Sequence, residues 1–414
     1  MFTRPRSKVR IIGFLLSFGF ALFGLTGSAY AQVAVGTCRP NLVHFDNLDD
    51  AVHGVPAGET ILVCPGTYAE QVSINTSLTL RGIQDGNGGL PIIVPPAGGL
   101  IRNATGFNLP LSFYINAALA AQILVSNGAT VNIFDIALDA TNSLLTDCSL
   151  DPVGVLYQDS SGTVNRVAVN NEISPCLNNG QPNPQGDGVL VQSDGVFPAN
   201  VTVENSSFDN TGLNGLDANG PVAGGVTLTA KGNTLVGPGI TAGNGVYLSF
   251  ANGTIDNNAI SNAISNASFV TGTSFYFGII SECSSTFTVS NNKVSNTQVG
   301  IDLVSATPFC TTTPAGYSIT GNEVFHTQLN GIEACGANHL IQSNTINDSG
   351  KGGVVLDDTI FNSACGTQAV TVSSNTINRA CAAVLQGPAN VGNVIGPNAI
   401  FNSKFLLLAG TSCQ

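Results

Sequence analysis

Tryptophan is absent, methionine occurs once, and only 9% of the 414 residues are Asp, Glu, Lys or Arg. Surface helices stay soluble through charged residues on their polar faces, so scarcity of charge excludes an ordinary helical enzyme. A disordered chain is also excluded, because disorder goes with few apolar residues and much charge, whereas 43% of this chain is hydrophobic. Without tryptophan the usual platform for stacking a sugar ring is missing. There is no Cys-x-x-Cys, which removes zinc ribbons and thioredoxin-like redox pairs. His-Glu-x-x-His, a phosphate loop, Gly-x-Ser-x-Gly and the Gly-Gly-x-Gly-x-Asp calcium repeat are missing as well.

Four of the 13 bases, Arg4, Arg6, Lys8 and Arg10, lie ahead of an apolar run from Ile11 to Leu25 and the small-x-small triplet Ala29-Tyr30-Ala31. Residues 1–31 thus read as a signal peptide, too short in its apolar run to anchor a spanning helix. The remainder carries nine bases against 25 acids, a net charge of −16. Such a surface repels phosphate backbones, so no nucleic acid is expected as a partner. The expected location is secreted, extracellular or periplasmic, with no stable membrane insertion after cleavage. Oligomeric state is not readable.

All ten cysteines follow residue 31. In an oxidising compartment an even number implies disulfides. They fall in neighbouring couples: Cys38 with Cys64, Cys148 with Cys176, Cys283 with Cys310, Cys335 with Cys365, and Cys381 with Cys413.

Glycine, asparagine and short alternating runs supply the organising signal. Gly188, Gly215, Gly245, Gly278, Gly300, Gly331 and Gly353 each open an alternating stretch such as Gly245-Val246-Tyr247-Leu248, at separations of 27, 30, 33, 22, 31 and 22 residues. Between them a second alternating strand ends in Asn-x-aliphatic: Asn171 with Ile173, Asn233 with Leu235, Asn258 with Ile260, Asn292 with Val294, Asn322 with Val324, Asn344 with Ile346, and Asn375 with Ile377. One copy carries Ser206 and Phe208 instead. Alternation turns every second side chain inward, and strands this short must stack as coils to share an interior. Stacked Asn side chains can hydrogen-bond along the stack, and Asn tolerates the left-handed conformation of a tight turn. Glycine before the strand marks a bend. The expected fold is all-β: a single parallel β-helix, a three-sheet solenoid of about a dozen coils.

These Gly-Ile-x-Leu and Val-x-Ile-x-x-Asn-x-Ile units resemble the repeats of the right-handed parallel β-helix superfamily, the pectate-lyase-like proteins, which includes pectate lyases, polygalacturonases and alginate epimerases. The opening region is similar too, with Phe45-Asp46-Asn47-Leu48-Asp49-Asp50-Ala51-Val52, Gly58-Glu59-Thr60-Ile61-Leu62-Val63-Cys64-Pro65-Gly66-Thr67-Tyr68 and Leu78-Thr79-Leu80-Arg81-Gly82. There Phe45, Leu48 and Val52 lie at helical spacing, and the resemblance implies a short N-terminal capping helix over the first coil. The chain divides into a signal peptide (1–31), an N-terminal cap and first coil (32–82), and the β-helix with disulfide-stapled loops (83–414). Residues 83–150 fit the repeat less well and read as early coils with insertions. Since stacked strands are ~4.8 Å apart, cysteines after the Gly-started strands of consecutive coils come within bridging range.

Aligning the Gly-started strands gives two outward files. One runs Leu156, Leu190, Asp217, Tyr247, Ile280, Asp302, Glu333, Val355, Leu385, and the next includes Asn219, Ser249, Glu282 and Asp357. In the resembling enzymes polysaccharide lies over this sheet, so Asp217, Asn219, Tyr247, Glu282 and Asp357 are candidate substrate-binding residues. Asp302 and Glu333 would stand side by side at roughly 5–6 Å, near the spacing of a retaining glycosidase pair, and are the candidate catalytic acids. A solvated acidic stripe or a Ca²⁺ site would use the same residues. No cofactor is firmly implied. The chain departs from the enzyme families, however: His44, His53, His326 and His339 are scattered, no Gly-His-Gly or Arg-x-Lys occurs, and an anionic groove repels uronates unless Ca²⁺ intervenes. The first expectation is therefore a secreted β-helix that binds polysaccharide or cell-surface glycan, or serves as an extracellular scaffold. The second is a glycoside hydrolase working through Asp302 and Glu333, and the third a Ca²⁺-dependent polyuronate lyase or epimerase.

Overall fold

The computed structural model describes residues 32–414 apart from 147, 175–176, 179–180, 183–184, 223, 238–242, 262–276, 305–309, 311–314, 357–366, 388–389 and 410–414. The expected signal segment, Asp357, Cys176, Cys365 and Cys413 lie outside the described residues. The chain winds as a parallel β-helix. One face is a 14-stranded sheet, and the other two join into a 23-stranded sheet because Thr345–Leu356 and Thr376–Gln386 run through the corner between them. Among the described residues no helix is long and apolar enough to cross a membrane.

Alternation builds the interior as expected. Val155, Val189, Leu216, Val246, Ile279, Ile301, Ile332, Val354 and Val384 pair in register from coil to coil and are all fully buried. Each such aliphatic side chain contributes about 1.5–3 kcal/mol by leaving water.

The asparagine ladder is present, with two corrections. Asn233 donates both its backbone N–H and its side-chain amide to Oδ1 of Asn258, at 2.9 Å each. The pattern repeats through Asn292, Asn322, Asn344 and Asn375 to Asn398. Ser206 occupies the rung before Asn233. Asn171 is not a rung: Val167 holds that position, its N–H donating to Ser206 Oγ, and Asn171 sits on an outer file where it accepts from Asn210. Nor do the rungs adopt the left-handed conformation. That falls to the residue before each: Asn205, Gly232, Asn257, Asn291, Gly321, Ser343 and Ser374. The division is physical, since a rung must point its side chain inward along the stack while its predecessor makes the bend.

The repeat glycines have a different cause from the one expected. None of Gly188 to Gly353 in that series has a positive φ. A Cβ on Gly278 would stand 2.2 Å from Val294 Cγ1 and 2.5 Å from the Gly300 carbonyl oxygen, and one on Gly300 would stand 2.3 Å from Val324 Cγ1. Glycine is there because two corners of the solenoid approach too closely for any side chain.

At the N-terminal end, strand Val43–Phe45 leads into helix Leu48–Gly54. Asn47 caps it by accepting from the Asp50 N–H, and Glu70 takes the Leu48 and Asp49 N–H groups, satisfying donors a helix start leaves open. Leu48, Ala51 and Val52 are buried, while Phe45 belongs to the preceding strand.

Cys38 is bonded to Cys64 and Cys283 to Cys310, with Cα separations of 5.6 and 5.1 Å. Cys148, Cys335 and Cys381 are also disulfide-bonded, with partners outside the described residues.

Candidate functional site

The outward file of the Gly-started strands has the expected register. Leu190 pairs with Asp217, Asp217 with Tyr247, Tyr247 with Ile280, Ile280 with Asp302, and Asp302 with Glu333. Its environment differs from expectation, because this face is not an open groove. Asp217 and Asn219 are fully buried, Tyr247 and Glu333 are 1% exposed, Asp302 2%, and Glu282 7%.

Part of the cover comes from the stretch that fitted the repeat least well. Residues 106–117 form a strap whose two ends meet, the Gly106 N–H donating to Ala117 O and the Asn116 N–H to Gly106 O. A Cβ on Gly106 would lie 1.9 Å from Tyr114 O, so only glycine closes this neck. The strap lies across several coils. The Phe107 N–H donates to Gln192 Oε1 at 3.3 Å, Tyr247 Oη approaches Leu111 O at 2.7 Å, and Ser249 Oγ donates to Pro110 O at 3.0 Å. Phe113 packs on Tyr247 with centroids 4.9 Å apart. Tyr114 is fully buried with Leu119, Leu156, Leu190 and Leu213.

Beneath the strap is a nest of acids with no Lys or Arg among the groups acting on them. Asn214 bridges two of them, its side-chain amide donating to Asp187 Oδ1 at 3.1 Å and to Asp217 Oδ2 at 3.0 Å. Asn219 donates to the other Asp217 oxygen at 2.7 Å. Burial pushes Asp187 up to about 8 and Asp151 up to about 6. Burial, and then the neighbouring Asp187, raise Asp217 well above the ordinary carboxylate range. Two buried carboxylates this close do not both ionise at neutral pH. Both Asp217 oxygens accept from amides, whereas Asp187 Oδ2 has no hydrogen bond of standard geometry. The Tyr114 hydroxyl faces Asp187 closely enough to act on it, also without standard geometry.

In the second half of the nest the Tyr247 hydroxyl faces two acceptors, Leu111 O at 2.7 Å and Glu282 Oε2 at 2.6 Å. Burial, and then the neighbouring Glu282, raise the Tyr247 hydroxyl well above its ordinary value.

Sequence reasoning missed Asp187, Asp151 and Tyr114. A signal for Asp187 existed: Asp187, Asn214 and Asn244 each precede a repeat glycine and pair in register. The motif Asn214-Gly-Leu-Asp217 recurs as Asn330-Gly-Ile-Glu333, with Asn330 donating to Glu333 Oε2 at 2.7 Å. Both candidate acids in these motifs are thus held by an amide three residues back. His339 is structural, accepting from the Tyr317 N–H on Nδ1, contacting Cys335 O through Nε2 and stacking on Tyr317. Among the described residues no three His, Cys, Asp or Glu side chains are grouped to hold a metal ion.

An open cleft of about 680 Å³ lies at the strap's edge, lined by Arg102, Asn103, Thr105, Phe107, Asn108, Asn116 and Gln158 among others. Gln158 fixes its wall by donating to Thr105 O at 2.7 Å, and Asn108 and Asn116 are exposed.

No protein-family model and no curated protein sequence matches the chain. Among solved structures it is similar to the lacto-N-biosidase of Eubacterium ramulus, at 10% identity and TM-score 0.55, covering 90% of this chain and 68% of that one. It is also similar to the Dettilon tailspike protein, at 14% identity and TM-score 0.54, covering 83% of this chain and 62% of that one. The periplasmic alginate epimerase AlgG aligns at 12% identity over 88% of this chain and 83% of its own, with TM-score 0.48. These neighbours are right-handed parallel β-helix proteins, and at such identities the likeness bears on the fold alone.

Proposed function

We propose that the protein is an exported right-handed β-helix that binds polysaccharide or cell-surface glycan without cleaving it. The helix Leu48–Gly54 would cover the first of about a dozen coils. The observation that carries the reading is the cleft beside the strap. Its amides, the Thr105 hydroxyl and Phe107 offer paired donors and acceptors and one apolar surface, the chemistry that recognises sugar hydroxyls. Of the acids on this face, Asp217 and Glu333 are buried acceptors of internal amides. A glycan array probed with the secreted chain tests the reading. Binding is expected and should fall at least tenfold on combining Asn108→Ala with Asn116→Ala. No binding to any glycan, or binding indifferent to those changes, would overturn it.

A second reading, a glycoside hydrolase, is favoured by one observation: Asp302 and Glu333 stand opposite each other on adjacent strands. It requires release of reducing ends from some polysaccharide, abolished by Asp302→Asn and Glu333→Gln. Equal activity in those variants rules this pair out.

A further inference from the structure

We infer that the 14-stranded sheet carries a second binding surface, separate from the glycan cleft, and that its ligand is ice. Thr163, Thr202, Thr229, Thr254 and Thr288 pair in register on consecutive coils and form one outward file of that sheet. Two residues earlier on the same strands a neighbouring file runs through Asn200, Thr227 and Asn252, again in register. The side chains alternate with fully buried Val203, Leu228 and Ile255 and so face out; Asn200 and Thr254 are exposed and the others half-buried. Among the described residues, no group hydrogen-bonds the hydroxyl of any of these threonines.

Neighbouring strands lie ~4.8 Å apart and alternate residues of one strand roughly 7 Å apart, so the two files form a rectangular lattice of hydroxyls and amides. Water oxygens on a prism face of hexagonal ice repeat in two perpendicular directions at nearly these intervals. Each threonine hydroxyl can stand in for a lattice water, because it both donates and accepts, while the methyl group beside it leaves the adjoining waters ordered. The array is rigid before it meets ice. Branching at Cβ restricts χ1, and the strands pair without a register shift across these coils, so adsorption costs little conformational entropy. A charged side chain would keep its own hydration and break the lattice. Charge begins only on the next file, at Glu204, Lys231 and Asp256. A sugar ring is the poorer occupant, since these residues include no aromatic platform on which it could stack.

Nanolitre osmometry of the full chain with a single seed crystal tests the inference. Crystal growth is expected to halt over an interval below the melting point that widens with protein concentration. Thr202→Lys combined with Thr229→Lys places two charges at the centre of the array and should shrink that interval at least tenfold, with the circular dichroism unchanged. Should the double variant not fold, Thr229→Lys alone should shrink it at least threefold. Thr376→Lys, at an outward position of the 23-stranded sheet, should leave it as it is. No interval at any concentration, or one indifferent to the changes at Thr202 and Thr229, would overturn the inference. Adsorption to crystalline cellulose in place of ice, lost in the same variants, would also overturn it and assign the face to polysaccharide. The array and the cleft share no residue, so Asn108→Ala with Asn116→Ala should leave the ice response unchanged even where glycan binding is lost.

Discussion

Asn292 gives both its backbone N–H and its side-chain amide to a single oxygen, Oδ1 of Asn322, at 3.0 Å each. Asn322 in turn donates to Val289 O and to Asn344. Replacing Asn322 by alanine strands two buried donors of Asn292 and removes three further bonds, the third to Thr320 O. A loss of about 3 kcal/mol is expected, read as a lower urea midpoint. Asn322→Ser should lose less, because Ser206 already fills a rung by accepting from Val167 and donating to Glu204 O.

Gly278→Ala forces a methyl group to within 2.2 Å of Val294 Cγ1. The expected cost of overpacking is about 1–3 kcal/mol. Part of it should return on adding Val294→Ala, the clash with the Gly300 carbonyl oxygen remaining, and a double-mutant cycle over the four proteins measures the coupling.

Stability should depend on pH in an unusual direction. Asp187 and Asp151, with native values near 8 and 6 against an ordinary 3.8, bind protons in the folded chain that the unfolded chain has released. Their contribution is complete below about pH 4 and is lost as pH rises toward about 8. Asp348, lowered by Arg379, acts oppositely, but only as pH falls below the ordinary carboxylate range. Chemical unfolding midpoints should therefore decline from mildly acid to mildly alkaline solution, and Asp187→Asn should flatten part of that decline, Asp217 and Glu172 being raised by burial as well. A midpoint that rises over the same interval would contradict the placement of these acids.

The bond between Cys283 and Cys310 closes a loop of sequence separation 27. Removing it with paired serines should lower stability by about 3 kcal/mol in the chain-entropy picture, with the 14-stranded sheet still formed by circular dichroism.

Gly106→Ala separates strap from scaffold. Its Cβ would meet Tyr114 O at 1.9 Å, so the neck must open while the coils beneath keep their packing. Faster hydrogen exchange in the strap with an unchanged unfolding midpoint is the expected result.

Much of the scaffold could be read from the sequence because a solenoid repeats its constraints. The spacing of Gly215, Gly245 and Gly278 aligned Asp217, Tyr247 and Ile280 correctly, and the Asn-x-aliphatic pattern located the rungs from Asn233 to Asn375 but not Val167 at one end or Asn398 at the other. Asn171 misled because Asn171-Glu172-Ile173 imitates the pattern four residues downstream of the true rung, Val167, where apolar packing replaces the amide. The cover over the candidate acids was not readable. Residues 106–117 have no period, and their partners Tyr247 and Ser249 lie 136 and 139 residues away, beyond any local rule. Alternation told which way Asp302 and Glu333 face, but not what lies above them.

The reach of the strap also bears on the order in which the chain assembles. A solenoid can grow turn by turn as it emerges, since each coil needs only the one before. The strap breaks that rule: it is made early, yet its anchors at Tyr247 and Ser249 arrive more than a hundred residues later. During synthesis or export its far end must wait, Phe113 uncovered, while further turns are laid down. Its closure is thus a late checkpoint, and a chain truncated before residue 247 would carry correct coils with no lid upon them.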